Sequence, residues 1–276
     1  MKNIETTCPD PNRRAGHILS GNGVKIIGII LMTMDHLYQM FVNQGAPQWL
    51  NRFGRPVAAM FLFLCAEGFF YTRSKKRYML KLLAGFLFMS AMNRFLSAAM
   101  PMEHIVLLNN IFSTLFLAAF YMWMIDRIHA GFREKSPVKI LSAAGGMFLP
   151  LVIGILMLLA VQSENRTAAV VLLFIPSLFS AEGGFALVFM GVAFYILRKY
   201  RLAQAAVVLA VSAFIWYSSK DSAGAGDFQW LMAFAVIPML LYNGKRGRGG
   251  KYFFYIFYPA HIYLLYCAAW FLNGRI

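Results

Sequence analysis

The sequence predicts an all-α polytopic transmembrane bundle of nine to ten spanning helices, with one short re-entrant or interfacial segment. Three observations carry this. Of 276 residues, 60% are hydrophobic and only 13% charged, about half the roughly 25% of ordinary soluble domains. Mean hydropathy is +0.60, and a water-soluble globule cannot hide so much apolar surface. The apolar residues also fall into runs near the length that crosses a bilayer, about 20 residues.

The runs are taken in order. Residues 1–22 are polar and read as a cytoplasmic N-terminal segment. Residues 23–276 read as a single membrane domain. The first run, 24–43, is followed by no small-residue cleavage site and reads as a retained span. Further spans are read at 55–72, 78–99, 105–126, 138–161, 183–197, 202–217, 229–243 and 252–272. The stretch 167–180 is short and contains Pro176, so it is read as the re-entrant piece. No internal repeat or low-complexity segment is evident.

Charge sets the expected orientation. The balance is 26 Lys+Arg against 11 Asp+Glu, or +15. In a soluble chain that would suggest nucleic acid. Here the cations sit in short loops between apolar runs, as cytoplasmic loops do. The N-terminus carries Lys2, Arg13 and Arg14. Later clusters are Arg73–Lys81, Arg127–Lys139, Arg198–Arg201 and Lys245–Lys251. The intervening loops near 100–104 and 162–166 are poor in Lys and Arg. All basic clusters share one side if 167–197 crosses an odd number of times. That predicts a cytoplasmic N-terminus and nine crossings of the cell membrane. Ten crossings, with one misplaced basic loop, is the alternative.

Ionisable groups inside spans are costly and mark function by default. The strongest pair is Asp35-His36 in LMTMDHLYQM, with His36 roughly 18 Å above the start of its span. Lys25 lies eleven residues earlier, which is three helical turns, so Lys25 and His36 share a face roughly 16 Å apart. A cation at the mouth and a titratable base deeper on the same face suit a long ligand with an anionic head. Other polar groups are assigned by topology. Arg55, Asn93, Arg94, Asn109, Asn110 and Gln229 fall in the outer half, with Asn109 and Asn110 in the first turns of the fourth span. Glu67 and Arg73 fall in the inner half. Tyr258 and His261 lie in YIFYPAHIY, where Pro259 frees a carbonyl, as cavity-lining helices tolerate. Interface anchoring and helix bridging are the plain alternatives for several of these. Cys8, Cys65 and Cys267 are widely separated, and His17, His104 and His129 lack metal spacing. No nucleotide loop or nucleophile elbow is present.

Four strings resemble the TraX family in order: KIIGIILMTMDH, GRPVAAMFLFLCAEGFFYTRSKKRYMLKLL, NNIFSTL and YNGKRGRGGKYFFYIFYPAHIYLLY. The resemblance spans about residues 23 to 266. It implies a membrane protein of conjugal transfer, the founding member being associated with N-terminal acetylation of pilin. A wider resemblance is to acyltransferase-3 type membrane acyltransferases, whose first span carries Arg or Lys, ten residues, then His. Lys25 and His36 fit that spacing. Glu67-Gly68 stands where that family has Ser-Gly, and its Trp-Ser-Leu-x-x-Glu signature is absent.

The resulting expectation is an acyl-CoA-dependent O- or N-acetyltransferase. Acetyl-CoA, as donor rather than resident cofactor, enters from the cytoplasm. Lys25, Glu67, Arg73 and Lys251 are expected at its binding site. His36 is the base, with Asp35 tuning the field or binding a neighbouring helix. Arg94, Asn109, Asn110, Tyr258 and His261 are expected to hold substrate or stabilise the oxyanion. The acceptor, a pilin-like N-terminus or a surface glycan, stays open. So do two rivals, a small-solute or proton-coupled transporter and a non-catalytic assembly factor. No metal and no nucleic acid is expected.

Overall fold

The computed structural model describes residues 18–102, 105–219, 228–249 and 253–273. Ten α-helices and no β-strand occur among them: α1 Gly21–Phe41, α2 Val57–Tyr71, α3 Lys75–Ala99, α4 Ile111–Arg133, α5 Pro137–Gln162, α6 Arg166–Leu172, α7 Gly184–Ile196, α8 Arg201–Ser218, α9 Val236–Leu241 and α10 Phe253–Asn273. Short 3-10 segments precede α2 (Gln48–Gly54) and α9 (Phe228–Ala235).

The architecture is the predicted all-α membrane bundle. Each of the nine predicted spans has a helical counterpart. Seven stretches are long and apolar enough to cross a bilayer, while 184–196 and 228–241 are apolar but shorter. Large apolar side chains remain exposed on outer faces. On α5, Phe148, Leu149, Val152, Ile155, Leu156 and Leu159 all point away from the protein, which suits hydrocarbon and not water.

The short piece at 167–180 forms only the seven residues of α6 and then an irregular segment to Gly183. Irregular backbone is tolerated at membrane depth where protein surrounds it and supplies hydrogen bonds. Here Pro150 lies inside α5, and its carbonyl accepts the Leu178 N–H at 3.3 Å. Ser177 is fully buried, with its hydroxyl 2.7 Å from that of Ser180. The segment then delivers Glu182 to the bundle interior just before α7. Helix α7 packs between α2 and α4. Gly191 allows this close crossing, because a Cβ there would lie 2.9 Å from Leu62 and 3.1 Å from Ala118.

One boundary differs in a way that matters. The fourth span begins at Ile111, not near 105, and runs to Arg133. Asn109 and Asn110 therefore precede the helix instead of lying in its first turns. The reason is that their hydrogen bonds are made elsewhere. The Asn110 side-chain amide donates to the Phe86 carbonyl at 3.1 Å and to the Ser90 hydroxyl at 3.2 Å. The Asn93 amide donates to the Asn109 carbonyl at 3.2 Å.

The basic loops gather at one end of the bundle, called here the basic end. Lys75 of α3 pairs with Asp126 of α4, and Tyr195 of α7 also donates to Asp126. Arg201 of α8 lies 3.6 Å from Glu67 of α2. The segment 242–249 wraps the start of α1. Gly21 and Asn22, whose N–H groups have no partner within the helix, donate to the carbonyls of Lys245 and Arg246 at 2.8 and 2.9 Å. Ser20 caps Gly23, and the Asn22 side chain donates to the Arg248 carbonyl at 2.9 Å. Gly247 and Gly249 have φ of +80° and +150°, and a Cβ on either would strike Ser20 or Asn22. The glycines of GKRGRGG thus seat Arg246 beside the first turn of α1.

Candidate active site

Two joined cavities run up the bundle from the basic end. The wide mouth, about 900 Å³, is lined by Lys25, Arg73, Arg77, Lys81 and Arg246, together with Glu67 and several tyrosines. Above it an apolar shaft of about 200 Å³ reaches Asp35, His36, Gly54 and Glu182. Lys25, Leu64, Gly68, Tyr78 and Tyr255 line both. The predicted common face of Lys25 and His36 is therefore the face that α1 turns to this cavity. The Lys25 ammonium also lies 4.8 Å from the centre of the Phe254 ring, a favourable cation–aromatic contact.

At the Asp35–His36 end the polar groups form one connected set. Gln39, one turn above Asp35, donates to Asp35 Oδ2 at 2.7 Å. The Asn109 amide donates to Gln39 Oε1 at 3.2 Å and lies 3.3 Å from His36 Nε2. His36 Nδ1 lies 2.7 Å from His261 Nε2. His261 Nδ1 lies 2.8 Å from the Phe257 carbonyl oxygen. The two imidazole planes are 18° apart, so the rings meet edge to edge through their nitrogens. His36 and His261 are 4% and 7% exposed. Asp35 Oδ1 is buried with no hydrogen-bond partner. Gly54 permits its approach, since a Cβ at Gly54 would overlap the Asp35 carboxylate.

A second set closes the opposite wall. Glu182 accepts the Asn110 N–H at 2.8 Å, and Tyr258 donates to it at 3.5 Å. The Tyr258 hydroxyl in turn accepts the Ile111 N–H at 3.1 Å. The start of α4 is thus satisfied by a carboxylate and a phenol from distant parts of the chain, which suits its positive dipole end.

The predicted site residues divide as follows. His36, Asp35, Asn109 and His261 come together in one network. Tyr258 lines the shaft; Lys25, Glu67 and Arg73 line the mouth. Glu67 is engaged with Arg201, so an anionic ligand there would meet a paired carboxylate. His261 stands behind His36 and does not itself line the shaft. Asn110 spends its side chain on α3 rather than on the cavity. Arg94 is exposed on α3, away from the shaft. Lys251 lies outside the described residues. Asp35 makes no direct contact with His36, as its position about 100° around the helix requires; the link runs through Gln39 and Asn109. No group of three or more potential metal-binding side chains occurs among the described residues.

Two residues of the site were not singled out from sequence. Gln39 had a readable signal, its i+4 spacing from Asp35 on a spanning helix. Glu182 had only a weak one, an acidic residue beside Gly183-Gly184 between apolar runs.

Residues 20–268 match the family described as TraX protein. The chain belongs to the TraX family. It is 24% identical over 277 residues to a protein of Dichelobacter nodosus named "Probable fimbrial assembly protein FimC, serogroup H1", covering 91% of this chain and 96% of that one. No solved structure matches the chain. These likenesses bear on the TraX resemblance and add nothing to the acyltransferase-3 one. As a TraX protein with this fold, the chain is a helical membrane protein of a family associated with conjugal transfer and pilus assembly.

Proposed function

We propose that this TraX protein is an acetyl-CoA-dependent membrane N-acetyltransferase. One observation carries the reading: a basic mouth is continuous with an apolar shaft that ends at a buried, hydrogen-bonded histidine. The mouth matches the phosphates of the donor, the shaft its uncharged pantetheine arm, and His36 the thioester at its tip. The mouth opens to the cytoplasm, because basic loops stay on that side and acetyl-CoA is made there.

In this reading the amine of the acceptor attacks the thioester carbonyl carbon. His36 removes the amine proton at Nε2, the carbon–sulfur bond breaks, and the proton passes to the departing sulfur. The products are the acetylated amine and free CoA. The Asn109 amide, now held at His36 and Gln39, is displaced as the amine arrives and turns to the oxyanion. An amine is favoured over a sugar hydroxyl because two carboxylates, Asp35 and Glu182, line the end of the shaft, and Asp35 Oδ1 has an unused acceptor position. The family's link to pilin acetylation and the relative named for fimbrial assembly support a pilus-subunit N-terminus as the acceptor.

The deciding experiment uses purified protein in lipid nanodiscs with radiolabelled acetyl-CoA. The acceptors are a peptide with a free N-terminus and the same peptide with that end formylated. Label is expected on the free peptide alone. Absence of acetyl-CoA binding overturns the reading.

Two further outcomes are expected. Cys65 lines the shaft and is buried. With Cys8 and Cys267 changed to serine, N-ethylmaleimide should modify Cys65, and saturating acetyl-CoA should slow that modification several-fold. An unchanged rate would mean that the donor does not occupy the shaft. For topology, single cysteines at Ser74 and Gln48 are placed in a variant whose three native cysteines are serine. An impermeant maleimide added outside cells should label the Gln48 site and spare the Ser74 site; the reverse pattern would invert the orientation.

A further inference from the structure

We infer that His261 is a positioning residue that holds His36 in one tautomer, leaving Nε2 of His36 as its basic nitrogen. The inference rests on the reading of His36 as the base, but it is carried by hydrogen-bond accounting along a single chain of groups.

Start at one end. The Phe257 carbonyl oxygen can only accept, so His261 Nδ1, 2.8 Å away, must carry a proton and donate it. A neutral imidazole has one N–H. His261 Nε2 is therefore bare and must accept from His36 Nδ1 at 2.7 Å. That places the only proton of His36 on Nδ1 and leaves its Nε2 with a lone pair.

Now start at the other end. An ionised Asp35 can only accept, so the group of Gln39 that meets Oδ2 at 2.7 Å is its NH₂. Gln39 Oε1 must then accept, and the Asn109 group at 3.2 Å is its NH₂. The same NH₂ lies 3.3 Å from His36 Nε2, which must accept. The two ends are independent, one on α10 and one on α1, and they demand the same tautomer of His36. A protonated His36 would set N–H against N–H at Asn109.

The arrangement explains why His261 lies behind His36 and outside the shaft. Its ring is held by the Phe257 carbonyl and stacks on the Phe257 ring, with centroids 4.9 Å apart and planes 13° apart. The edge-to-edge contact with His36 restricts rotation about the His36 side-chain bonds. It also remains intact when His36 is protonated at Nε2, because the Nδ1 proton keeps its acceptor. A residue that orients a reacting imidazole in this way acts through it and not on the substrate.

The test has a structural arm and a kinetic arm. In the structural arm, nitrogen-15 solid-state NMR is recorded on protein with labelled histidine in bilayers. His36→Gln and His261→Gln assign the two signals. Both rings are expected to carry the proton on Nδ1; a His36 ring protonated on Nε2 overturns the inference. In the kinetic arm, His261→Leu keeps the bulk but offers no acceptor, whereas His261→Gln offers an oxygen near the position of the lost Nε2. His261→Leu should lower kcat by about 10- to 100-fold with the KM for acetyl-CoA nearly unchanged. His261→Gln should recover most of that loss. Equal activity in the two variants would mean that His261 merely fills space, and would overturn the positioning role. The NMR arm needs no turnover, so it still decides the tautomer if the wild-type protein transfers no acetyl group, in which case the reading of His36 as a base is what fails.

Discussion

His36→Ala is expected to lower acetyl transfer by about 100-fold or more, roughly 2.7 kcal/mol of barrier, while leaving acetyl-CoA affinity close to native. The structural basis is specific. His36 lines the end of the shaft, far from the cations of the mouth. Its Nε2 meets only a neutral amide, which an incoming amine can displace. Removing it deletes proton transfer and leaves the donor's phosphate contacts in place, so kcat falls and KM does not rise. Because His36 is buried, the variant must be shown to fold, by its elution profile and by its binding of acetyl-CoA. A folded, CoA-binding His36→Ala protein with near-native turnover would remove the base from the mechanism. If His261→Leu abolished turnover in the same assay, the roles of the two rings would have to be exchanged.

The second large effect is expected at the other end of the shaft. Lys25→Ala should raise the KM for acetyl-CoA by roughly 10- to 100-fold, as a charge-assisted contact worth about 1.5–3 kcal/mol is lost. kcat should change little, since a contact far from the reacting carbon binds ground state and transition state alike. Lys25 is the cation common to the mouth and the shaft, which makes it more consequential than Arg73 at the exposed rim. Lys25→Arg should retain most of the affinity. An unchanged KM in Lys25→Ala would reduce Lys25 to an anchor held by its contact with Phe254.

The membrane fold was legible because the bilayer imposes a length and a polarity on each helix separately. Every predicted span from 24–43 to 252–272 has a helical counterpart, seven of them long and apolar enough to cross a bilayer, and the odd piece at 167–180, predicted as re-entrant or interfacial, is one short helix followed by irregular backbone. The pairing of Lys25 with His36 was legible for a similar reason, since both lie on one helix whose periodicity alone gives their common face. Where the structure departs from the expectation, the cause is a partner on another element. The start of α4 moved to Ile111 because Asn110 is bonded to α3 and to Glu182, and hydropathy cannot register that. Arg94, polar and at the right depth, points outward, because a depth assigned from a topology says nothing about rotation of α3.

The sequence by itself determined that this is a helical membrane protein with basic loops on one side and a cation–histidine face on its first span. These properties are local, or repeat along one helix. The tertiary structure decided what His36 touches. Its neighbours Asn109 and His261 are 73 and 225 residues away in the chain. Glu182 reaches the same end of the shaft on a segment tied to the carbonyl of Pro150. A hydrogen-bond chain needs donors and acceptors within about 3 Å and in alternating order, a condition on the placement of three separate parts of the chain, α1, the segment before α4 and α10, that no single stretch of sequence expresses.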